Sequence, residues 1–162
     1  ANDGMRIPPR IVKATIAADG TTAAEPQPGG IRVVSPETAR TVRNMLRAVV
    51  QRDPMGTQQG TGAAAAVEGY QIAGKTGTAQ QINPGCGCYY DDVYWITFAG
   101  MAPVDDPRYV VGLMMDAPVR NSDGTPGHSA APLFRSITAW LLQRDNVPLS
   151  PDPGPPLTLE AA

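Results

Sequence analysis

The chain has 162 residues, of which 42% are hydrophobic, and its formal net charge is −2. This length suits about one domain with a buried core. The near-neutral charge argues against a nucleic-acid partner, because binding to phosphate backbones requires clustered Lys and Arg.

The start of the chain predicts extended and irregular structure. Residues 7–16 should be extended, with a break at Pro8 and Pro9, and residues 17–30 should form a loop because they are rich in Gly, Pro, Ala and Thr. The chain begins at Ala1 in turn-like sequence rather than at an initiator Met, so we expect it to be the interior of a longer protein. No apolar run approaches the roughly 20 residues of a membrane-spanning helix.

A helix should follow this loop. Ser35 is a suitable N-cap, and Pro36 suits the first helical position because its missing N–H would have no partner there. The dipeptide Asp53-Pro54 should end the helix. Apolar residues recur at three- and four-residue spacing and predict a face directed at the core: Ala39, Val42, Met45, Leu46, Val49 and Val50.

Three strands are predicted next. Residues 54–66 should form a linker, residues 67–79 a first strand, and residues 80–92 a polar loop. Aromatic and β-branched residues predict further strands at 94–100 and 108–115. The short turn sequence between these two strands predicts an antiparallel hairpin.

The chain should end with a loop over residues 119–128, a second helix and a tail. The helix should begin at about Ser129 and place apolar residues on one face: Ala130, Leu133, Phe134, Ile137, Trp140 and Leu141. Residues 148–162 are proline-rich and should be a disordered or extended tail, which leaves residues 1–147 as the domain. The order of helix, three strands and helix predicts an α+β fold, in which helices cover an antiparallel sheet.

The two cysteines, Cys86 and Cys88, lie in a single C-G-C sequence. They are too few for a typical zinc site, so a disulfide, free thiols and inert loop residues all stay open. Turns and a strand end explain Asp105, Asp106 and Asp116 better than a metal site does. No metal and no cofactor is expected.

Residues 69–76 match G-x-x-x-x-G-K-[ST], the phosphate-binding loop of nucleotide hydrolases. That loop wraps phosphates with backbone N–H groups at the start of a helix. Here residues 70–72 favour a strand, and Gly77, Pro84 and Gly85 prevent a helix of useful length after the motif. A nucleotide hydrolase is therefore the weaker interpretation.

The alternative is an edge strand that presents Lys75, Thr76, Gly77 and Thr78 consecutively. Such a strand suits a peptide-like ligand, because glycine lets another backbone approach closely and the two hydroxyls can donate to a carboxylate. The Lys75 ammonium group can supply positive charge to an anion and to a neighbouring nucleophile. A free N–H on the strand can face the oxyanion of a tetrahedral intermediate.

Four segments together resemble one known family: GYQIAGKTGTAQ, YWITFAGMAP, RYVVGLMMDAP and GHSAAPLF. They are similar to the last part of the transpeptidase domain of class B penicillin-binding proteins, the cell-division (septal) type most closely. The resemblance covers nearly the whole chain except the proline-rich tail. It implies the α+β fold shared with serine β-lactamases, incomplete in this chain.

The resemblance also implies roles for individual residues. Lys75, Thr76 and Gly77 match the third active-site motif of the family. Thr78 matches the next position, whose N–H forms half of the oxyanion hole and whose hydroxyl helps to hold the carboxylate of the substrate or β-lactam. Residues 119–127 match a segment that rims the active site.

The chain departs from the family in lacking the nucleophile. The family's serine lies in S-x-x-K and its second motif is S-x-N, both N-terminal to the third motif. None of the five serines in the chain has Lys three positions on or Asn two positions on. The resemblance therefore implies that this chain needs a missing N-terminal part of the same domain, and that it is inactive alone.

The whole protein implied by the resemblance is a D,D-transpeptidase. It would be acylated at a serine by D-Ala-D-Ala stem peptides and would cross-link septal peptidoglycan, with β-lactams acylating the same serine. An N-terminal helix absent from this chain would anchor it on the outer side of the bacterial cytoplasmic membrane, among cell-division proteins. A β-lactam-sensing or structural relative with the same fold stays open as an alternative.

Overall fold

The computed structural model describes residues 1–52, 59–118 and 128–152, which form two units. The unit Asn2–Arg40 contains two small antiparallel sheets of two strands each. In chain order the strands are β1 (Met5–Arg6), β2 (Ala14–Ile16), β3 (Thr22–Ala24) and β4 (Ile31–Arg32), and the pairs are β1 with β4 and β2 with β3.

The predicted first loop is wrong at β3, which pairs with β2 through a tight turn. The Gly20 N–H donates to the Ala17 carbonyl, and the Thr21 N–H donates to the Asp19 carboxylate at 2.9 Å. Gly20 adopts a φ of +85°, which glycine reaches without steric cost. Asp-Gly is a recognised hairpin signal, so the sequence did contain the information.

Helix α1 spans Pro36–Arg47 and begins where predicted. The Ser35 side-chain oxygen accepts a hydrogen bond from the Thr38 N–H at 3.1 Å, which satisfies one of the unpaired N–H groups of the first turn. The helix ends at Arg47, earlier than the predicted end at Asp53-Pro54, and residues 48–50 form a turn.

The predicted apolar face of α1 is only partly correct. Arg43 is the buried residue of the helix, whereas Val42 and Met45 are 49% and 66% exposed. Val50 is buried in the core, but it lies in the turn beyond the helix. Periodicity located the helix and did not identify the side that packs.

The unit that begins at Thr41 is built on a three-stranded antiparallel sheet in the order β5-β6-β7. Its strands are β5 (Ala73–Asn83), β6 (Cys88–Ala102) and β7 (Tyr109–Asp116). The predicted hairpin of β6 and β7 is confirmed. The first strand begins later than predicted, and most of the polar loop predicted over 80–92 is strand, because β5 and β6 stay paired beyond a register shift.

A short turn joins β5 to β6. The Asn83 carbonyl accepts hydrogen bonds from the N–H groups of Cys86 and Gly87, and the Asn83 side chain accepts one from Gly85. Cys86 and Cys88 form a disulfide across this turn. Of the options left open by the sequence, the structure therefore has the disulfide.

Helix α2 (Ala130–Arg144) begins at the predicted position and packs on β6, β7 and a one-turn 3-10 helix, Ala63–Ala65. Its predicted face is rotated from the observed one, since Leu133 and Trp140 are 43% and 58% exposed. The buried residues of the helix are Ala130, Ala131, Phe134, Thr138 and Leu142. The small residues among them let the helix approach the sheet closely. A prediction based on large apolar side chains does not detect such positions.

The centre of the core is a contact between β6 and α2. The rings of Phe98 and Phe134 are fully buried, with centroids 4.7 Å apart and planes inclined by 55°. Glycines make room for both rings: a Cβ on Gly74 would lie 2.6 Å from Phe98, and one on Gly100 would lie 2.7 Å from Phe134.

The first part of the tail is bound to the residues that precede β5. The Tyr70 hydroxyl donates to the Val147 carbonyl at 2.7 Å, and the Ser150 N–H donates to the Gly69 carbonyl at 3.0 Å. The Ser150 hydroxyl also donates to Asp105 at 2.7 Å. Residues 148–152 have no regular secondary structure, and these bonds hold Ser150 in place.

A polar cluster connects the end of α2 to the start of β7. The Asp145 carboxylate accepts two hydrogen bonds from Arg144, at 2.6 and 2.9 Å, and another from the Tyr109 hydroxyl. These hydrogen bonds lower the pKa of Asp145 from its ordinary value of 3.8 to about 2, and the bonds from Arg144 have the largest effect. The Arg144 guanidinium group also lies 4.9 Å from the Trp140 ring centroid.

This cluster predicts a loss of stability in acid. Because folding lowers the pKa of Asp145, its contribution is complete above the unfolded-state value of 3.8 and is lost as the pH falls to about 2. Asp145→Asn should therefore be less stable than wild type at neutral pH, and the difference should vanish over that range. Urea unfolding at a series of pH values measures it. Tyr109→Phe should show a smaller loss over the same range, and a difference that persists at the lowest pH would contradict the assignment.

The disulfide should contribute little to global stability. Its cysteines are two positions apart, and closing so short a loop removes only about 1.5 kcal/mol of chain entropy from the unfolded state. The backbone hydrogen bonds of the turn, from the N–H groups of Cys86 and Gly87 to the Asn83 carbonyl, do not involve the sulfur atoms. We expect the double variant Cys86→Ser/Cys88→Ser to unfold within about 1.5 kcal/mol of wild type. A loss of several kcal/mol in chemical denaturation would show that the disulfide holds more than the turn.

Candidate functional site

Lys75, Thr76, Gly77 and Thr78 all lie in β5, at the edge of the sheet. The strand pairs with β6 on one side, and no described strand pairs with it on the other. An edge strand exposes a row of backbone N–H and C=O groups that can bind another extended chain. The sequence-predicted residues are therefore brought together on the kind of strand that the sequence predicted.

The phosphate-binding loop is excluded by the same observation. Lys75 and Thr76 lie within a strand that continues to Asn83, whereas a phosphate-binding loop requires a helix to start at this point. An apolar strand that ends in Asp is also part of a nucleotide-hydrolase site, where the carboxylate positions Mg²⁺. Here β7 ends in Asp116, but its carboxylate accepts a hydrogen bond from the Gln81 amide at 2.7 Å.

The four side chains alternate across the strand. Thr76 opposes Phe98 on β6, so it lies on the face that packs against α2. Thr78 opposes Ile96 on the same face. Lys75 lies on the other face, and its ammonium group donates to the Thr76 carbonyl at 2.7 Å. The ammonium group also lies 3.5 Å from the Thr76 side-chain oxygen, so it and the Thr76 hydroxyl are neighbours although their residues face opposite sides of the strand.

Gly77 also faces a side chain of the neighbouring strand. A Cβ at this position would lie 2.3 Å from the side-chain oxygen of Thr97, the residue opposite it on β6. The sequence explained Gly77 by the approach of a ligand backbone and did not identify Thr97. No motif marks Thr97, so only the register of the two strands reveals it.

Thr61 is a second residue that the sequence analysis missed. Its hydroxyl oxygen lies 2.9 Å from the hydroxyl oxygen of Thr76. The sequence assigned it to a linker. The available signal was the flanking pair of glycines in G-T-G, which indicates a close backbone approach.

The face that carries Lys75 is open and apolar. Val110 and Met114 on β7 are 67% and 70% exposed, and Ala99 on β6 is exposed beside them. Adjacent exposed apolar side chains of this kind typically mark a contact surface.

Several other predictions concern the surroundings of the site. The predicted rim segment, residues 119–127, lies outside the described residues, and His128 is exposed just before α2. Among the described residues, no group of three or more His, Cys, Asp or Glu side chains could hold a metal ion. Neither helix of the described ranges is long and apolar enough to cross a membrane.

Comparison with known proteins identifies a family whose members are similar to this chain. Residues 1–139 match the model of the penicillin binding protein transpeptidase domain. The penicillin-binding protein PbpB of Mycolicibacterium smegmatis is 78% identical over 161 residues, which are 99% of this chain and 25% of that protein. PbpB of Mycobacterium tuberculosis is 74% identical over 161 residues, which are 99% of this chain and 24% of that protein.

A solved structure agrees with these relatives. Penicillin binding protein 3 from Mycobacterium tuberculosis, in complex with ampicillin, has a TM-score of 0.88 and 74% identity to this chain. The match covers 99% of this chain and 36% of that one. This chain thus spans about a quarter of the length of the two related proteins.

The contact between Gly77 and Thr97 predicts a stability rescue. Gly77→Ala should lower the free energy of unfolding by about 1–3 kcal/mol, because the new methyl group collides with the Thr97 hydroxyl. Adding Thr97→Ala should recover most of this loss in thermal or chemical unfolding. Thr97→Ser keeps the oxygen and should not rescue. Equal rescue by both variants would show that the collision is not with the hydroxyl.

Proposed function

The chain belongs to the penicillin-binding protein transpeptidase family, and we propose that it supplies the K-T-G-T part of the active site of a septal-type peptidoglycan D,D-transpeptidase. The observation that carries this proposal is the position of Lys75, Thr76, Gly77 and Thr78 on the open edge strand of the family's fold. Peptide-like ligands bind such edges by adding a strand.

Each of these residues has a role in the proposed reaction. The hydroxyls of Thr76 and Thr78 donate hydrogen bonds to the terminal carboxylate of a D-Ala-D-Ala stem peptide. The Thr78 N–H stabilises the oxyanion that forms when a serine oxygen attacks the scissile carbonyl. The Lys75 ammonium group supplies positive charge near the carboxylate and assists proton transfer at the serine.

The attacking serine belongs to another part of the protein, since no serine of this chain stands in S-x-x-K. Terminal D-alanine leaves as the acyl-enzyme forms, and an amine of a neighbouring stem peptide then takes the acyl group and releases the serine. A β-lactam mimics the donor and acylates the same serine. The chemistry requires no cofactor, because serine, lysine and backbone donors suffice.

The rest of the domain is the proposed partner of the open sheet face. The exposed Val110 and Met114 lie on the same face as Lys75. A segment that covers this face would bury its apolar surface and, at the same time, bring the serine close to Lys75. We therefore expect the chain to be inactive without that segment, with residues 1–147 as the C-terminal portion of the transpeptidase domain and residues 148–162 as its tail.

We place the whole protein on the outer side of the cytoplasmic membrane, held by an N-terminal helix outside this chain and in contact with cell-division proteins. The similarity to a penicillin-binding protein over 99% of the chain supports a role in cell-wall synthesis, which takes place outside that membrane. Peptidoglycan stem peptides are its proposed substrates and β-lactams its inhibitors.

The test is labelling of the longer protein with a fluorescent penicillin. The chain offers a matched pair of variants, because Lys13 and Lys75 are its only lysines. We expect Lys75→Ala to lower the acylation rate by about 10²-fold or more, and Lys13→Ala to label like wild type. Mass spectrometry should locate the label on a serine in S-x-x-K, and equal melting temperatures would confirm that both variants fold.

Two results would overturn the proposal: a Lys75→Ala variant that labels at the wild-type rate, or a label on one of the five serines of this chain. A labelled protein that cannot join donor and acceptor stem peptides in vitro would instead support a β-lactam-sensing relative.

A further inference from the structure

Thr61 lies outside the K-T-G-T sequence, yet its hydroxyl oxygen is 2.9 Å from that of Thr76. We propose that Thr61 is a positioning residue for carboxylate recognition. It donates a hydrogen bond to the Thr76 hydroxyl and so turns the Thr76 proton toward the carboxylate of the peptide or β-lactam. This inference rests on the proposed function, in which Thr76 holds that carboxylate.

Close packing fixes the backbone on both sides of Thr61. A Cβ on Gly60 would lie 2.2 Å from the Val49 carbonyl oxygen, and one on Gly62 would lie 2.7 Å from the Phe98 ring. The Gly62 N–H donates to the same Val49 carbonyl at 2.8 Å. The two glycines therefore let this segment approach the core closely, and Thr61 between them is directed at β5.

The capacity of a hydroxyl group makes the direction of the bond important. A threonine hydroxyl donates one hydrogen bond and accepts two. The Lys75 ammonium group, which can only donate, lies 3.5 Å from the Thr76 side-chain oxygen. A second bond donated by Thr61 fills the other acceptor position. The single Thr76 proton is then left for an external acceptor, and an anionic carboxylate is a strong one.

A purely structural role would give a different pattern. Thr61 is exposed, so the loss of its hydroxyl leaves no buried polar group without a partner and should change folding stability little. Its effect should instead appear where the orientation of the Thr76 proton matters, which is the encounter with an anion.

The experiment measures the second-order rate constant of acylation, in the longer protein, by benzylpenicillin and by its uncharged methyl ester. Thr61→Val removes the hydroxyl at nearly constant volume. We expect it to slow benzylpenicillin about 3- to 10-fold and to slow the ester markedly less. Thr61→Ser should react close to the wild-type rate. Thr22→Val, which removes an exposed hydroxyl in the unit Asn2–Arg40, is the matched control and should not change either rate.

A double-mutant cycle completes the test. If Thr61 acts through Thr76, the variant Thr61→Val/Thr76→Val should be no slower than Thr76→Val alone. Additive losses, equal slowing of the acid and the ester, or a wild-type rate for Thr61→Val would each overturn this inference. A wild-type protein that benzylpenicillin does not acylate would overturn the proposed function itself.

Discussion

The position of the candidate site depends on the space around one buried ring. Phe98 packs at an inclined angle against Phe134 from α2, and two glycines face it where a Cβ would collide: Gly74 on β5 and Gly62 beside the 3-10 helix. This ring therefore sets how closely β5 and the G-T-G segment approach each other. A larger residue at Gly62 would displace Thr61, and a larger residue at Gly74 would displace β5. Either change would alter the distance between Thr61 and Thr76, because a closely packed core does not absorb an added methyl group without movement.

The sequence predicted the parts of the structure that are coded locally. The strand character of β6 and β7, their hairpin, the starts of both helices and the K-T-G-T residues are all visible in propensity, capping and motif. The extent of β5 was not predictable in this way. Its pairing with β6 continues through residues 80–83, which are polar and which composition alone assigns to a loop.

Long-range packing explains the other errors. Helix α2 buries the small residues Ala131 and Thr138 beside Phe134 and exposes Trp140, so side-chain size did not indicate which side of the helix packs. Thr61 and Thr97 were missed for a related reason: each contacts a residue of β5 from a position distant in sequence. Motifs reveal residues that contact a ligand, whereas residues that arrange those contacts carry no such mark.

The start of the tail is hydrogen-bonded to the residues that lead into β5. Tyr70 and Val147 are 77 positions apart and share a hydrogen bond, and Ser150 is bonded to Gly69, so the last described residues brace the entry to the strand that carries Lys75. The start of the tail is therefore close in space to β5, and a fusion or truncation there is a change near the candidate site despite its distance in sequence.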